Sequence, residues 1–185
     1  MWSQDLYKKA LDFAAQAHGT QKVPGNGFPY VVHLTKVAME TMASCVNDPS
    51  ADINLAMTCA LLHDCMEDAG VTADQLTVTF GPAVAAGVQA LTKDDSLPKE
   101  AGMADSLARI RRQPREVWMV KLGDRITNLE PPPSGWTLEK RRRYLEEARL
   151  ILRSLQGASA LLETRIAEKI AAYEEYCRED AKPLP

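Results

Sequence analysis

Apolar residues recur every three or four positions along nearly the whole chain, and runs alternating apolar with polar residues are scarce. That spacing lays one apolar stripe along each of a series of helices and predicts an all-α domain, a helical bundle. Leu6, Ala10, Phe13, Ala14 and Ala17 form the first stripe, on a helix that Ser3 can cap and that runs to about His18. Pro24, Gly25, Gly27 and Pro29 then interrupt any regular element. A second helix from about Val31 carries Leu34, Val37, Ala38, Thr41, Met42 and Cys45, which places His33 in its first turn beside that loop. A third, about Asn54 to Asp68, stops at Gly70, and Thr72 to Gln75 has the form of a capping box for a short helix ending near Gly81. Pro82 and Pro114 each suit the first position of a helix, with an exposed polar loop from Thr92 to Lys99 between them. The helix from Pro114 must end before Pro131-Pro132-Pro133. Helices over about Leu138 to Leu155 and Ala160 to Arg178 complete the chain, the last with Leu162, Ile166, Ile170, Tyr173 and Cys177 as a packing stripe.

The 185 residues suit one domain with one core. Their 22 Lys and Arg against 25 Asp and Glu leave a net charge of −3, so no global basic field exists to hold a long nucleic acid. The longest apolar runs, such as that around Leu61 and Leu62, fall short of the roughly 20 residues a membrane-spanning helix needs. Asp5, Lys8 and Lys9 near the start break the order of a signal peptide, so the expected compartment is the cytoplasm. Cys45, Cys59, Cys65 and Cys177 form no CxxC pair and read as buried thiols.

Two of the three histidines, His33 and His63, stand at helical positions among apolar neighbours, where a plain core residue is easier to bury. His63 belongs to His63-Asp64-Cys65-Met66-Glu67-Asp68, where i,i+4 spacing puts His63 over Glu67 and Asp64 over Asp68 on adjoining ridges of one helix. Acidic residues at a helix C-terminus oppose its macrodipole, and a bound cation removes the conflict. Asp124 sits in an otherwise core-like helix with Asn128 one turn on, and taken alone it could pair with Lys121 or Arg125. With His33, His63 and Asp64 it completes a mixed nitrogen and oxygen set that suits manganese, iron or zinc better than calcium or magnesium.

A helical His, an adjacent His-Asp and a distant helical Asp resemble the signature of the HD-domain metal-dependent phosphohydrolases. The local sequence resembles the hydrolase domain of the RelA/SpoT homologues, closest to their small single-domain alarmone hydrolases. The segments that carry this likeness are His18…Pro29-Tyr30-Val31-Val32-His33, Ala60-Leu61-Leu62-His63-Asp64-Cys65-Met66-Glu67-Asp68, Leu91-Thr92…Leu97-Pro98-Lys99, Val120 through Leu129, and Gly135-Trp136…Tyr144. The likeness covers roughly residues 10 to 156 in the family's order. It implies hydrolysis of (p)ppGpp, guanosine 3′-diphosphate alarmones, to GDP or GTP plus pyrophosphate, with manganese as the usual metal. In that resemblance His33, His63, Asp64 and Asp124 are ligands and Glu67 and Asp68 the catalytic acidic pair. Asn128 matches a nucleotide-contacting position, and Lys140 and Tyr144 match positions near substrate.

The chemistry agrees with those roles: Glu67, one turn beyond His63, is placed to hold and deprotonate a water that a metal has acidified. Asp68 can orient that water or assist the leaving oxygen. A multiply charged substrate needs cations, for which Lys22, Lys99, Lys140 and Arg141 to Arg143 are available, although three arginines in a row on a helix read first as a solvated face. Against the family pattern, Val23 replaces one member of a basic pair, Leu34 replaces a proline, and Glu130-Pro131 stands where Arg and a small polar residue are common. These positions bear on nucleotide affinity and base preference rather than on the metal. No segment corresponds to the synthetase domain of the longer relatives, so the expectation is degradation without synthesis. The partner is a small nucleotide, with no long nucleic acid and no membrane, and a homo-oligomer is left open. Two competing readings keep the same scaffold: an HD phosphohydrolase acting on a 5′-nucleotide or on NADPH, and a non-catalytic HD module that binds a nucleotide.

Overall fold

The computed structural model describes residues 1–94 and 96–178, leaving aside the side chains of Lys99 and Glu100. Among the described residues the chain forms α1 (Gln4–His18), α2 (Val31–Cys45), α3 (Ile53–Leu62), α4 (Cys65–Asp68), α5 (Ala73–Phe80), α6 (Pro82–Leu91), α7 (Lys99–Ile110), α8 (Arg115–Asn128), α9 (Leu138–Ser154) and α10 (Ala160–Tyr173), with a closing 3₁₀ turn at Glu174–Cys177. These residues include no β-strand, only one antiparallel bridge between Lys22 and Pro29.

The punctuation read from the sequence acts through hydrogen bonds. The Ser3 hydroxyl accepts from the Leu6 amide at 3.2 Å, Thr72 and Gln75 close a reciprocal capping box, and Pro82 opens α6. Pro114 stands one place outside α8, at its N-cap, where the missing N–H costs equally little. The last helix ends at Tyr173, and its tail tightens into the 3₁₀ turn. Helix α7 lies in a stretch where the sequence reading assigned no element. Arg109 anchors it, donating to the Gln89 and Thr92 carbonyls at 2.5 and 2.8 Å and so satisfying groups left open near the end of α6.

One expectation needs correction. The helix predicted from Asn54 to Asp68 is broken: α3 ends at Leu62, His63 and Asp64 form a turn, and α4 begins at Cys65. Successive residues of an unbroken helix point about 100° apart, so neighbours in sequence do not face each other. His63 keeps helical dihedrals (φ −56°, ψ −32°) while Asp64 is distorted from them (φ −100°, ψ −2°), and with this distortion the two side chains come to one point. The picture of His63 over Glu67 on one continuous helix does not hold.

Buried apolar side chains from all ten α-helices form one cluster, with α2 packed on both α3 and α8. Gly123 lets α8 approach α2 closely, since a Cβ there would meet the Thr41 Oγ1 at 3.0 Å and the Val37 carbonyl at 3.4 Å. Helix α10 is fixed to α2 by Arg165, whose Nε and Nη2 donate to the two carboxylate oxygens of buried Glu40 at 2.5 and 2.7 Å. The four cysteines are free, and Cys45, Cys59 and Cys65 are buried.

Two helical glycines predict opposite responses to one substitution. A Cβ at Gly87 would meet the Cys59 Sγ at 2.8 Å and the Val117 Cγ2 at 3.0 Å, whereas at Gly102 its nearest contact is an ordinary 3.7 Å. Overpacking of about 1–3 kcal/mol outweighs a helix-propensity gain of about 1 kcal/mol, so Gly87→Ala should destabilise by about 1 kcal/mol. Gly102→Ala should stabilise by about 0.5–1 kcal/mol. Urea denaturation midpoints read both signs.

Candidate metal centre and substrate cavity

The first turn of α2, the turn after α3 and the last part of α8 meet at one buried point. His63 Nε2 lies 2.9 Å from Asp64 Oδ2 and 3.7 Å from Asp124 Oδ1. His33 Nε2 lies 3.3 Å from His63 Nε2, 3.5 Å from Asp64 Oδ2 and 3.6 Å from Asp124 Oδ1. Atoms of His33, His63 and Asp64 all fall within 4.8 Å of one another, and Asp124 closes the group from α8. The structure thus brings together the four residues singled out in the sequence.

Neighbouring groups aim these side chains. His63 Nδ1 is 2.8 Å from the Ala60 carbonyl, so Nδ1 carries the proton and Nε2 turns into the cluster. Asp124 is held by two donors from its own helix: Lys121 Nζ to Oδ2 at 3.0 Å and Asn128 Nδ2 to Oδ1 at 2.6 Å. Its ionic partner is therefore Lys121, while Arg125 turns away to Glu147 at 3.4 Å. The Tyr30 hydroxyl donates to Asp64 Oδ2 at 2.6 Å. Tyr30 lies three residues before His33, a spacing that puts both on one side of a turn and was available in the sequence.

The electrostatics call for positive charge. Burial disfavours a charged His63, yet the Asp64 and Asp124 carboxylates outweigh it and hold the imidazole well above its ordinary value. Burial likewise disfavours both carboxylates, but His63 with His33 holds Asp64 well below the usual range, and Lys121 with His63 does so for Asp124. A proton on His63 supplies the cationic charge that the carboxylates demand. Two imidazole nitrogens and two carboxylates fit a divalent cation in the same place, with their charges balanced and coordination positions left for water or substrate.

The acidic pair of α4 lies beside this centre with separate partners. Glu67 accepts from the Lys93 amide at 3.1 Å and the Lys93 ammonium at 3.2 Å. Asp68 accepts from Gln21 Nε2 at 3.1 Å. Neither Lys93 nor Gln21 was among the sequence-predicted residues, because both contacts join segments distant in the chain.

A cavity of about 580 Å³ opens at His33, with Asn128, Trp136, Tyr144 and Tyr173 on its wall and residues 23–26 and 130–134 around it. Asn128 and Tyr144 thus both line the cavity that opens at His33. Trp136 and Tyr144 meet edge to face at 5.1 Å, and the Arg125 guanidinium packs on the Tyr144 ring at 4.1 Å. Lys36, one turn after His33, lines this cavity and was missed in the sequence although its spacing announces it. Of the other predicted contacts, Lys140 caps the Trp136 ring at 4.2 Å. Lys22 is exposed in the loop bridge to Pro29 and does not line the cavity. Lys99 begins α7, and its side chain lies outside the described residues. Arg141 donates to the Trp136 carbonyl at 3.1 Å and Arg142 to the Cys177 carbonyl at 3.2 Å, so these two serve packing. Glu130 is paired with Lys169 at 3.2 Å at the cavity's edge. No helix among the described residues is long and apolar enough to cross a membrane.

The HD-domain pattern matches residues 10–171. The guanosine-3′,5′-bis(diphosphate) 3′-pyrophosphohydrolase MESH1 of Danio rerio is 30% identical, over 86% of this chain and 89% of its own length. Its Homo sapiens counterpart is 31% identical, over 84% of this chain and 87% of its own length. A solved structure, described as a metazoan ortholog of SpoT that hydrolyses ppGpp, superposes with a TM-score of 0.79 at 27% identity, covering 93% of this chain and 97% of that one. Since the family pattern spans most of the chain and the relatives align along nearly all of it, the chain belongs to the HD-domain family.

Proposed function

We propose that the chain, acting as one domain, is a metal-dependent phosphohydrolase that removes the 3′-diphosphate of guanosine alarmones, converting (p)ppGpp to GDP or GTP plus pyrophosphate. The observation that carries this reading is the convergence of two imidazoles and two carboxylates, at 2.9–3.7 Å, beside an aromatic-walled cavity in a chain of this family. His33, His63, Asp64 and Asp124 hold the metal; the mixed donor set suits manganese, iron or zinc, and the family resemblance favours Mn²⁺ among them. A divalent cation bound there supplies Lewis acidity toward water and toward a phosphoryl oxygen.

The remaining work falls to the chain's own groups. Glu67 takes the proton of the attacking water, and the Lys93 amide and ammonium keep its carboxylate from swinging away. Water attacks the phosphorus bonded to the ribose 3′-oxygen, the O3′–P bond breaks, the diphosphate leaves whole, and O3′ gains a proton. Asp68 orients the water or assists that oxygen. The base rests against Tyr144 and Trp136, while Asn128 spans the two regions through its bond to Asp124 and its place on the cavity wall. Lys36 on the cavity wall and Lys140 beside Trp136 offer positive charge to the phosphates, with Lys22 and Lys99 available from neighbouring segments.

A panel of ppGpp, pppGpp, NADPH and a 5′-nucleoside monophosphate tests the substrate class. The guanosine alarmones should turn over fastest, and faster turnover of NADPH or the monophosphate would move the function to another phosphohydrolase. His63→Ala should empty the metal site, read as loss of bound Mn²⁺ by elemental analysis after dialysis, and full metal content would show the ligand set misassigned. Glu67→Gln keeps the shape and removes the base, so it should retain Mn²⁺ and bind nucleotide while turnover falls about 10²–10⁴-fold. Near-normal turnover would remove Glu67 from the mechanism.

A further inference from the structure

His18, the third histidine, has no part in the proposed chemistry, yet it is buried at the end of α1 and stacks on Tyr30 with ring centroids 4.6 Å apart. Its two nitrogens face different partners: Nδ1 lies 2.7 Å from Gln21 Oε1, and Nε2 lies 3.7 Å from the Cys65 Sγ. Gln21 in turn donates through Nε2 to Asp68 Oδ2 at 3.1 Å. The chemistry of the end group orders this chain. An ionised carboxylate only accepts, so the Gln21 amide must present nitrogen to Asp68 and oxygen to His18. His18 Nδ1 must then carry a proton, and Nε2 faces the buried Cys65 thiol. The two hydrogen bonds from His18 to Asp68 therefore run one way, since turning the Gln21 amide over would set its oxygen against the Asp68 carboxylate.

Tyr30, stacked on the same imidazole, donates to Asp64 Oδ2 at 2.6 Å, and its hydroxyl also faces the Asp68 carboxylate that Gln21 holds. His18 is thus the common support of two arms that reach Asp64 and Asp68, on either side of Cys65, Met66 and Glu67. We propose that His18, Gln21 and Tyr30 form a brace of positioning residues, in which Tyr30 fixes Asp64 for the metal and the His18–Gln21 pair fixes Asp68 toward the reacting phosphate. The brace rests on the roles proposed above for Asp64 and Asp68. Its reason lies in the interrupted helix: Asp64 is distorted from helical dihedrals, and α4 that follows has only four residues and no side-chain cap, a short support for two carboxylates. Support must come from outside the segment, and α1 with its following loop provides it.

The two arms predict separable losses. Tyr30→Phe keeps the ring stack and removes only the donor, so the Kd for Mn²⁺, titrated without substrate, should rise about 10–100-fold. Gln21→Met keeps the length and removes the amide, so kcat for ppGpp should fall about 10-fold or more, with KM and the Kd for Mn²⁺ within about twofold of wild type. His18→Leu should lower kcat as Gln21→Met does, and His18→Asn, which keeps an N–H near the Nδ1 position, should recover most of it. Circular dichroism and melting temperature confirm that each variant is folded, and Gln21, in a half-buried loop position, carries the test if the His18 variants do not fold. Wild-type kcat in Gln21→Met, or an unchanged Mn²⁺ Kd in Tyr30→Phe, overturns the corresponding arm. A Gln21→Met protein that loses Mn²⁺ affinity as much as kcat overturns the division of labour. A wild-type protein that binds no Mn²⁺, or leaves ppGpp intact, overturns the functional reading itself, a result distinct from any failure of the variants.

Discussion

Two imidazoles and two carboxylates packed into the apolar interior of a helical bundle set the constraint on which the rest of this structure depends. Buried carboxylates cost several kcal/mol each unless positive charge or hydrogen-bond donors face them. Here every one is answered: Asp124 by Lys121 and Asn128, Asp64 by Tyr30 and both histidines. The close approach of α8 to α2 at Gly123 brings Asp124 up to His33, and the break after α3 turns Asp64 onto His63. Backbone geometry and electrostatics thus lead to the same place, a pocket of ligand atoms that demands a cation.

The acidic pair and the aromatic-walled cavity are arranged by contacts of a different kind. Glu67 and Asp68 follow each other in sequence, yet one is held by Lys93 and the other by Gln21. The cavity wall draws on α8, α9 and α10, so Tyr173 of the last helix faces the same space as His33 of the second. The last helix therefore shapes the pocket, fixed to α2 by Arg165 and Glu40.

Much of this was legible in the sequence because it is local. Caps at Ser3 and Thr72, the proline at the start of α6 and the stripe through Leu162, Ile166 and Ile170 depend on residues a few positions apart, and the helices stand where those signals put them. The four clustered residues could be named because a buried histidine or aspartate in an apolar stripe is anomalous wherever the stripe packs. The interruption at His63 and Asp64 was hidden, since the apolar pattern runs through it and the distortion is confined to the dihedrals of Asp64. Lys93, Gln21 and Arg165 were hidden for another reason. Their partners lie 26, 47 and 125 residues away, and no periodicity encodes such pairs.

Phosphorus NMR of ppGpp mixed with the purified protein, with and without added Mn²⁺, tests the metal centre and its reaction together. Intact pyrophosphate and GDP should appear together, and only when the metal is present. Orthophosphate as the first product, or equal turnover in the presence of a chelator, would contradict the claim that the buried histidine and aspartate cluster works as a metal centre cleaving the bond at the ribose 3′-oxygen.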